Sequence, residues 1–176
     1  MRNKIVVCGM PRSGFGSIIK LLRFNKLNVN SEGSLPYKFD RNRLKKKLDS
    51  SDVFVGHYYL NYIEELLKIH KAKIIVLKRD RKEVMESIKS YKFNPYHQKK
   101  IDGAEGFPFH CKNIDTATGY YHEEYYKLIN SMFKRYSNRF LLVNTKDLNS
   151  EEYLKKILDF CEIPESDHKI KIFKEK

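Results

Sequence analysis

Glycine, cationic and hydroxyl residues are concentrated in one short stretch near the start of the chain, VVCGMPRSGFGS. An apolar run ends at Gly9, and a helical pattern begins after Gly16. A loop that joins a strand to a helix offers backbone N–H groups and a helix N-terminus, which together form an anion site. Arg12 adds a charged, fork-shaped donor, and two serines add hydroxyls. The stretch therefore predicts phosphate binding, and the alternative is a tight turn with a surface arginine.

The spacing of this loop differs from the Walker A pattern of ATP-binding proteins. That pattern needs a lysine and a hydroxyl residue directly after its second glycine. Gly9 and Gly14 have the required separation, but Phe15 and Gly16 stand where the lysine and the hydroxyl residue should be. A nucleotide or small-molecule kinase that uses ATP and magnesium is therefore disfavoured, although it stays open as an alternative function.

A second group of charged and hydroxyl residues lies in IIVLKRDRKEVMESIKSY. Arg79 comes directly after the apolar run, and Ser87 follows on the next helical pattern. Because the carboxyl ends of parallel strands meet at one edge of a sheet, both residues should face the same edge as the glycine loop. The sequence therefore predicts two anion sites some distance apart, and it offers no convincing set of magnesium ligands.

Four short apolar runs predict the strands that must position these groups: residues 5–8, 53–55, 74–77 and 140–143. Amphipathic helical patterns lie between them, the longest over about residues 118–136. This alternation predicts an α/β fold with three layers, a parallel sheet flanked by helices, of the P-loop nucleotide-binding type. Residues 93–116 contain two prolines and two glycines, and they predict a functional loop or lid.

Two helix starts carry the capping-box pattern, in which an N-cap residue is followed three positions later by glutamate. The first pairs Asp80 with Glu83, and the second pairs Asn149 with Glu152. The sequence therefore predicts side-chain caps at both helix starts.

Length and composition predict one folded domain over residues 1–176. The net charge of +13 suggests a nucleic-acid partner, but the lysines are spread along the whole chain, which favours a solvated surface. A basic RNA-binding protein stays an alternative. No apolar run is long enough to span a membrane, and the first residues leave no room for a signal peptide. Cys8, Cys111 and Cys161 lack metal-ligand spacing and are interpreted as reduced thiols of a cytoplasmic protein.

At four places in order, the sequence resembles the sulfotransferases that depend on 3′-phosphoadenosine 5′-phosphosulfate (PAPS). PRSG, at residues 11–14, resembles the family's loop for the 5′-phosphosulfate, and RDRKEVMES, at residues 79–87, resembles its segment for the 3′-phosphate. GHYYLNYIEELLKIHKAKIIVLKRD and RFLLVNTKDLNSEEYLKKILDFCEIP resemble two further family stretches. Arg81 stands where the family usually has proline, and Thr145 stands where it often has a tyrosine that contacts adenine.

The resemblance implies transfer of a sulfuryl group from PAPS to an acceptor hydroxyl or amine, with release of adenosine 3′,5′-bisphosphate (PAP) and no metal. It implies that Arg12 stabilises charge on the leaving phosphate and that His57 is the catalytic base, with Glu32 in reserve. The nucleotide contacts that it implies are Pro11, Arg12, Ser13, Gly14, Phe15, Gly16, Ser17, Arg79 and Ser87.

The acceptor stays open at this point between a glycan, a lipid headgroup, a peptide and a small molecule. A relative that keeps the nucleotide site but has lost activity is a further alternative.

Overall fold

The computed structural model describes residues 3–10, 12–31, 46, 49–56, 59, 62–68, 71–90 and 114–173. In this part of the chain, five strands form one sheet in the order β2-β3-β1-β4-β5, and every pair is parallel. The strands are β1 Ile5–Gly9, β2 Val29–Asn30, β3 Val53–Val55, β4 Lys73–Lys78 and β5 Phe140–Asn144. The predicted parallel sheet is confirmed, as are the four predicted strands, and β2 is an additional edge strand.

Helices flank the sheet on both faces. They are α1 Phe15–Phe24, α2 Ile63–Lys68, α3 Arg81–Ser90, α4 Ile114–Arg135 and α5 Glu151–Phe160, with 3₁₀ turns at Ser137–Arg139, Thr145–Asn149 and Glu165–Asp167. The helix predicted from residue 118 begins four residues earlier, at Ile114. The predicted lid at residues 93–116 lies outside the described residues except for its last three positions, which belong to α4.

Alternate residues of the central strands enter two separate hydrophobic cores. Val6 of β1 packs in one core with Tyr125 of α4, and Val7 packs in the other core with Leu21 of α1 and Leu158 of α5. This alternation follows from strand geometry, in which successive side chains point to opposite faces of a sheet. All five side chains are nearly or fully buried, and burial of one large apolar side chain contributes roughly 1.5–3 kcal/mol. The predicted three layers are therefore confirmed.

The predicted caps have different outcomes. At the start of α3, the Asp80 carboxylate accepts hydrogen bonds from the backbone N–H groups of Lys82 at 2.9 Å and Glu83 at 3.3 Å, so this cap is confirmed. These bonds lower the pKa of Asp80 because they favour its charged form.

The cap predicted at Asn149 is wrong. Helix α5 begins after Ser150, which makes no side-chain cap hydrogen bond. The capping box lies one turn earlier, where the Asp147 carboxylate accepts from the backbone and side-chain N–H groups of Asn144, both at 3.0 Å. It closes the 3₁₀ turn that follows β5, and this turn borders the glycine loop.

The last described residues, 168–173, form a C-terminal segment that runs antiparallel to α1. At one end the side chain of Asn25 donates to Lys169 O at 3.0 Å, and Lys169 N donates to Asn25 Oδ1 at 2.8 Å. At the other end Ser17 Oγ donates to Phe173 O at 2.7 Å. Four extended residues and eight helical residues both span about 12–13 Å, so the two ends match. The segment therefore covers α1 along most of its length.

Candidate anion-binding site

The glycine loop turns from β1 into α1 with an unusual backbone. Gly14 has φ 93° and Arg12 has φ 69°, and the second value is uncommon for a residue with a side chain. A Cβ on Gly14 would lie 2.9 Å from Leu148 Cδ1, and one on Gly9 would lie 2.6 Å from Leu77 O. Both positions therefore require glycine. Lys26, Lys71 and Glu162 also have positive φ, so the loop is distinguished by its two required glycines rather than by Arg12 alone.

The N-terminus of α1 opens directly from this loop. Its first intrahelical hydrogen bond runs from Ile18 N to Gly14 O at 3.3 Å. The N–H groups of residues 15–17 therefore have no acceptor within the helix. The first turn of α1 contains no acidic residue that would neutralise the positive end of the helix dipole. This end of α1 is therefore suited to bind an anion.

The two predicted clusters meet at the same edge of the sheet. Arg12 Nε donates to Ser87 Oγ at 2.9 Å, and Arg79 Nη1 donates to Arg12 O at 2.7 Å. Arg79 follows β4, the neighbour of β1, and Ser87 lies on α3, so the order of the elements brings them to the glycine loop. The predicted common edge is confirmed. The two hydrogen bonds also bring the two clusters into direct contact, whereas the sequence predicted sites some distance apart.

Arg79 is held from two further sides. Its Nε donates to Glu83 Oε2 at 3.2 Å, and Glu83 lies 3.5 Å from Lys146 Nζ in an exposed ion pair. His122 Nε2 of α4 lies 3.1 Å from Arg79 O, and since a carbonyl only accepts, this ring nitrogen carries the proton. An open cleft of about 430 Å³ lies beside these groups, between the ends of β4 and β5. Its lining includes Arg79, Arg81, Glu83, His122, Thr145 and Lys146.

Comparison with known proteins decides the family. The profile described as Sulfotransferase domain matches residues 2–175. The chain belongs to this sulfotransferase family. No curated protein matches this family member by sequence.

Solved structures share the fold. The YorR protein of Bacillus subtilis, in complex with phosphorylated GDP, is 18% identical with a TM-score of 0.53, over 90% of this chain and 95% of that one. The sulfotransferase of Alicyclobacillus acidocaldarius is 13% identical with a TM-score of 0.59, over 93% and 82%. Mouse sulfotransferase SULT7A1 in complex with PAP is 16% identical with a TM-score of 0.60, over 94% of this chain and 61% of that one.

The remaining loop residues of this sulfotransferase family member have distinct environments. Ser13 is fully buried, and its hydroxyl lies beside the phenol of Tyr126, which donates to Leu77 O at 2.8 Å. The Ser17 hydroxyl is engaged by the Phe173 carbonyl, so the protein itself occupies this expected phosphate contact. Phe15 packs partly buried against the core around α1 and α5, and Gly16 is exposed. Pro11, His57 and Glu32 lie outside the described residues.

One contact of the loop escaped prediction. Thr145, the first residue after β5, has its hydroxyl 3.2 Å from Ser13 O and 3.2 Å from Lys78 O. The sequence analysis noted Thr145 only because it stands where the family often has a tyrosine. No pattern in the sequence indicates that its hydroxyl contacts the Ser13 carbonyl. The contact links the ends of β1, β4 and β5.

No described group of three or more His, Cys, Asp or Glu side chains is arranged to hold a metal ion. No helix in the described ranges is both long and apolar enough to cross a membrane.

Proposed function

We propose that this protein transfers a sulfuryl group from PAPS to an acceptor hydroxyl or amine. The observation that carries the proposal is the meeting of two arginines, Arg12 and Arg79, with the Ser87 hydroxyl beside the N-terminus of α1. Membership of the sulfotransferase family supports a group-transfer enzyme. The PAP bound to mouse SULT7A1, which shares the fold, supports an adenosine bisphosphate nucleotide in particular.

The residues of the site fit the chemistry of PAPS, which carries a 5′-phosphosulfate and a separate 3′-phosphate. The N–H groups of residues 15–17 and the side chain of Arg12 suit the phosphosulfate. The Ser13 hydroxyl, which was predicted to join them, is fully buried beside the Tyr126 phenol. Arg79 and Ser87 suit the 3′-phosphate, because a guanidinium binds phosphate through charge-assisted hydrogen bonds. PAPS supplies the sulfuryl group when it is bound.

Two tasks would fall to the protein's own residues, namely to stabilise the charge on the leaving phosphate and to accept the proton of the acceptor group. A guanidinium is a poor proton donor, so the role of Arg12 is to stabilise negative charge on the leaving phosphate. His57 would accept the proton of the acceptor group, a role that suits imidazole because it titrates near neutral pH. Glu32 is the reserve candidate for this base.

The acceptor and the compartment are part of the same proposal. A glycan, a lipid headgroup, a peptide or a small molecule would each present a hydroxyl or an amine, and we favour these over a nucleic acid. Cys8 and Cys161 are buried free thiols, which agrees with a reducing compartment such as the cytoplasm.

The test is the thermal stability of the protein with PAP, with AMP and with ATP–Mg, because a ligand that binds only the folded state raises its melting temperature. We expect a shift with PAP alone. A charge-assisted bond contributes about 1.5–3 kcal/mol, so Arg79→Ala should weaken PAP binding by about tenfold to a hundredfold or more. The matched control is Lys82→Ala, which removes a neighbouring exposed cation of α3 and should keep the shift.

The other outcomes separate the alternatives. A shift with ATP–Mg and none with PAP would overturn the proposal in favour of a kinase. No shift with any nucleotide, together with RNA binding that falls steeply with salt, would indicate a nucleic-acid protein. PAP binding without turnover over a panel of acceptors would indicate a relative that has lost its activity.

A further inference from the structure

The 3₁₀ turn after β5 forms the floor of the glycine loop. Thr145 Oγ1 lies 3.2 Å from Ser13 O and 3.2 Å from Lys78 O, and its single proton can be donated to either carbonyl. The methyl group of Thr145 would lie 3.3 Å from a Cβ on Gly14, and Leu148 Cδ1 would lie closer still, at 2.9 Å. Thr145 therefore contacts the loop through both its polar and its apolar branch.

The floor is itself held in place. The Asp147 carboxylate caps the turn through two hydrogen bonds from Asn144, and Leu148 is buried in the core shared with α1. A side chain on such a turn has little freedom to move away from its partners. Thr145 therefore presents its hydroxyl to the loop from a fixed position.

When Thr145 donates its proton to Ser13 O rather than to Lys78 O, the bond has a consequence for the next N–H group. The peptide between Ser13 and Gly14 is trans and planar, so its C=O and its N–H point in opposite directions. A hydroxyl that holds the Ser13 carbonyl against the floor directs the Gly14 N–H away from the floor. Arg12 and Gly14, on either side of Ser13, both have left-handed backbone. Such conformations persist only where neighbouring contacts stabilise them, so this peptide orientation depends on its contacts.

We propose that Thr145 is a positioning residue of the anion site, which fixes the Ser13–Gly14 peptide so that the Gly14 N–H serves as an anion donor. This inference rests on the proposed function, because that function assigns the loop to the phosphosulfate. Thr145 acts through the loop backbone and supplies no contact to the reacting atoms.

The experiment compares Thr145→Val, which keeps the shape and removes the hydroxyl, with Thr145→Ser, which keeps the hydroxyl and removes the methyl group. The first readout is hydrogen exchange of residues 10–18 in the nucleotide-free protein. In this segment Ser13 N–H and Ile18 N–H form backbone hydrogen bonds and report loop opening. The second readout is PAP affinity by calorimetry, and the third is the free energy of unfolding in urea.

We expect Thr145→Val to speed exchange in residues 10–18 and to weaken PAP binding, each by about twofold to tenfold, the range that one neutral hydrogen bond supports. Exchange in β1 and β4 should stay unchanged. Thr145→Ser should stay within about twofold of the natural protein in both readouts, since it keeps the hydrogen bond.

The inference is overturned if Thr145→Val matches the natural protein in both hydrogen exchange and PAP affinity. It is also overturned if Thr145→Ser is as impaired as Thr145→Val, because the methyl group would then be the important contact. Faster exchange throughout the sheet, with lower overall stability, would indicate a merely structural residue and also overturns it. If the natural protein binds no PAP but Thr145→Val selectively opens the loop, the positioning role stands and the proposed function fails.

Discussion

The packing around Gly14 gives the sharpest prediction. Gly14→Ala would place a Cβ 2.9 Å from Leu148 Cδ1 and 3.3 Å from Thr145 Cγ2, at a φ of 93°. A left-handed backbone costs a non-glycine residue about 1–2 kcal/mol, and an extra methyl group in a packed core costs about 1–3 kcal/mol. Leu148 can relieve part of the overlap by rotation. We therefore expect the free energy of unfolding to fall by about 2–4 kcal/mol.

The matched control lies two residues further along the chain. Gly16 is exposed within α1 and has no left-handed φ, so Gly16→Ala should stabilise the protein by about 0.5–1 kcal/mol through helix propensity. Equilibrium unfolding in urea measures both variants on the same scale. If Gly14→Ala is as stable as the natural protein, or if the two variants change stability alike, then Gly14 does not have the left-handed φ and the close contacts with Leu148 and Thr145 described above.

Two further predictions concern pH and thiol reactivity. The Lys73 ammonium donates to the Glu162 carboxylate at 3.0 Å and lowers the pKa of this carboxyl from 4.5. The ion pair therefore stabilises the folded protein fully above pH 4.5, and this contribution is lost as the pH falls through the lower pKa of the folded state. The difference in urea midpoint between the natural protein and Glu162→Gln should therefore shrink in acid, and a difference that stays constant would refute this assignment. Burial raises the pKa of the Cys8 and Cys161 thiols to about 12, so in Cys111→Ser a thiol reagent should react only after unfolding. Rapid labelling of folded Cys111→Ser would contradict the burial of both thiols.

The sheet was largely predictable because its central strands are buried on both faces. Such strands give uninterrupted apolar runs, and those at residues 5–8 and 74–77 lie within β1 and β4. The run at residues 140–143 lies in the edge strand β5, where Leu142 is exposed. Strand β2 has only two residues, Val29 and Asn30, and a strand this short leaves no periodic pattern. The cap at Asn149 was mispredicted because two capping patterns lie close together, and the structure uses the pair Asn144 and Asp147.

The residue types of the site were predictable, but their contacts were not. Arginine and hydroxyl side chains after strands indicate an anion site, which is how Arg12, Arg79 and Ser87 were found. The bond between Arg12 and Ser87 joins residues 75 positions apart, and its existence depends on rotamers that no sequence pattern encodes. Ser17 illustrates the same limit, since its hydroxyl faces a carbonyl 156 positions away in the chain.

The order in which the chain is made matters for the glycine loop. Translation completes the loop first, but Thr145 is 132 residues further on than Ser13, and Phe173 is 156 residues further on than Ser17. Strands β1, β3 and β4 can pair as soon as Lys78 has emerged, whereas the floor under Gly14 follows 67 residues later. Long-range pairing of this kind slows folding and exposes incomplete sheets to aggregation. A nascent chain that stops before β5 would therefore contain every arginine of the site and still lack the support that gives the loop its shape.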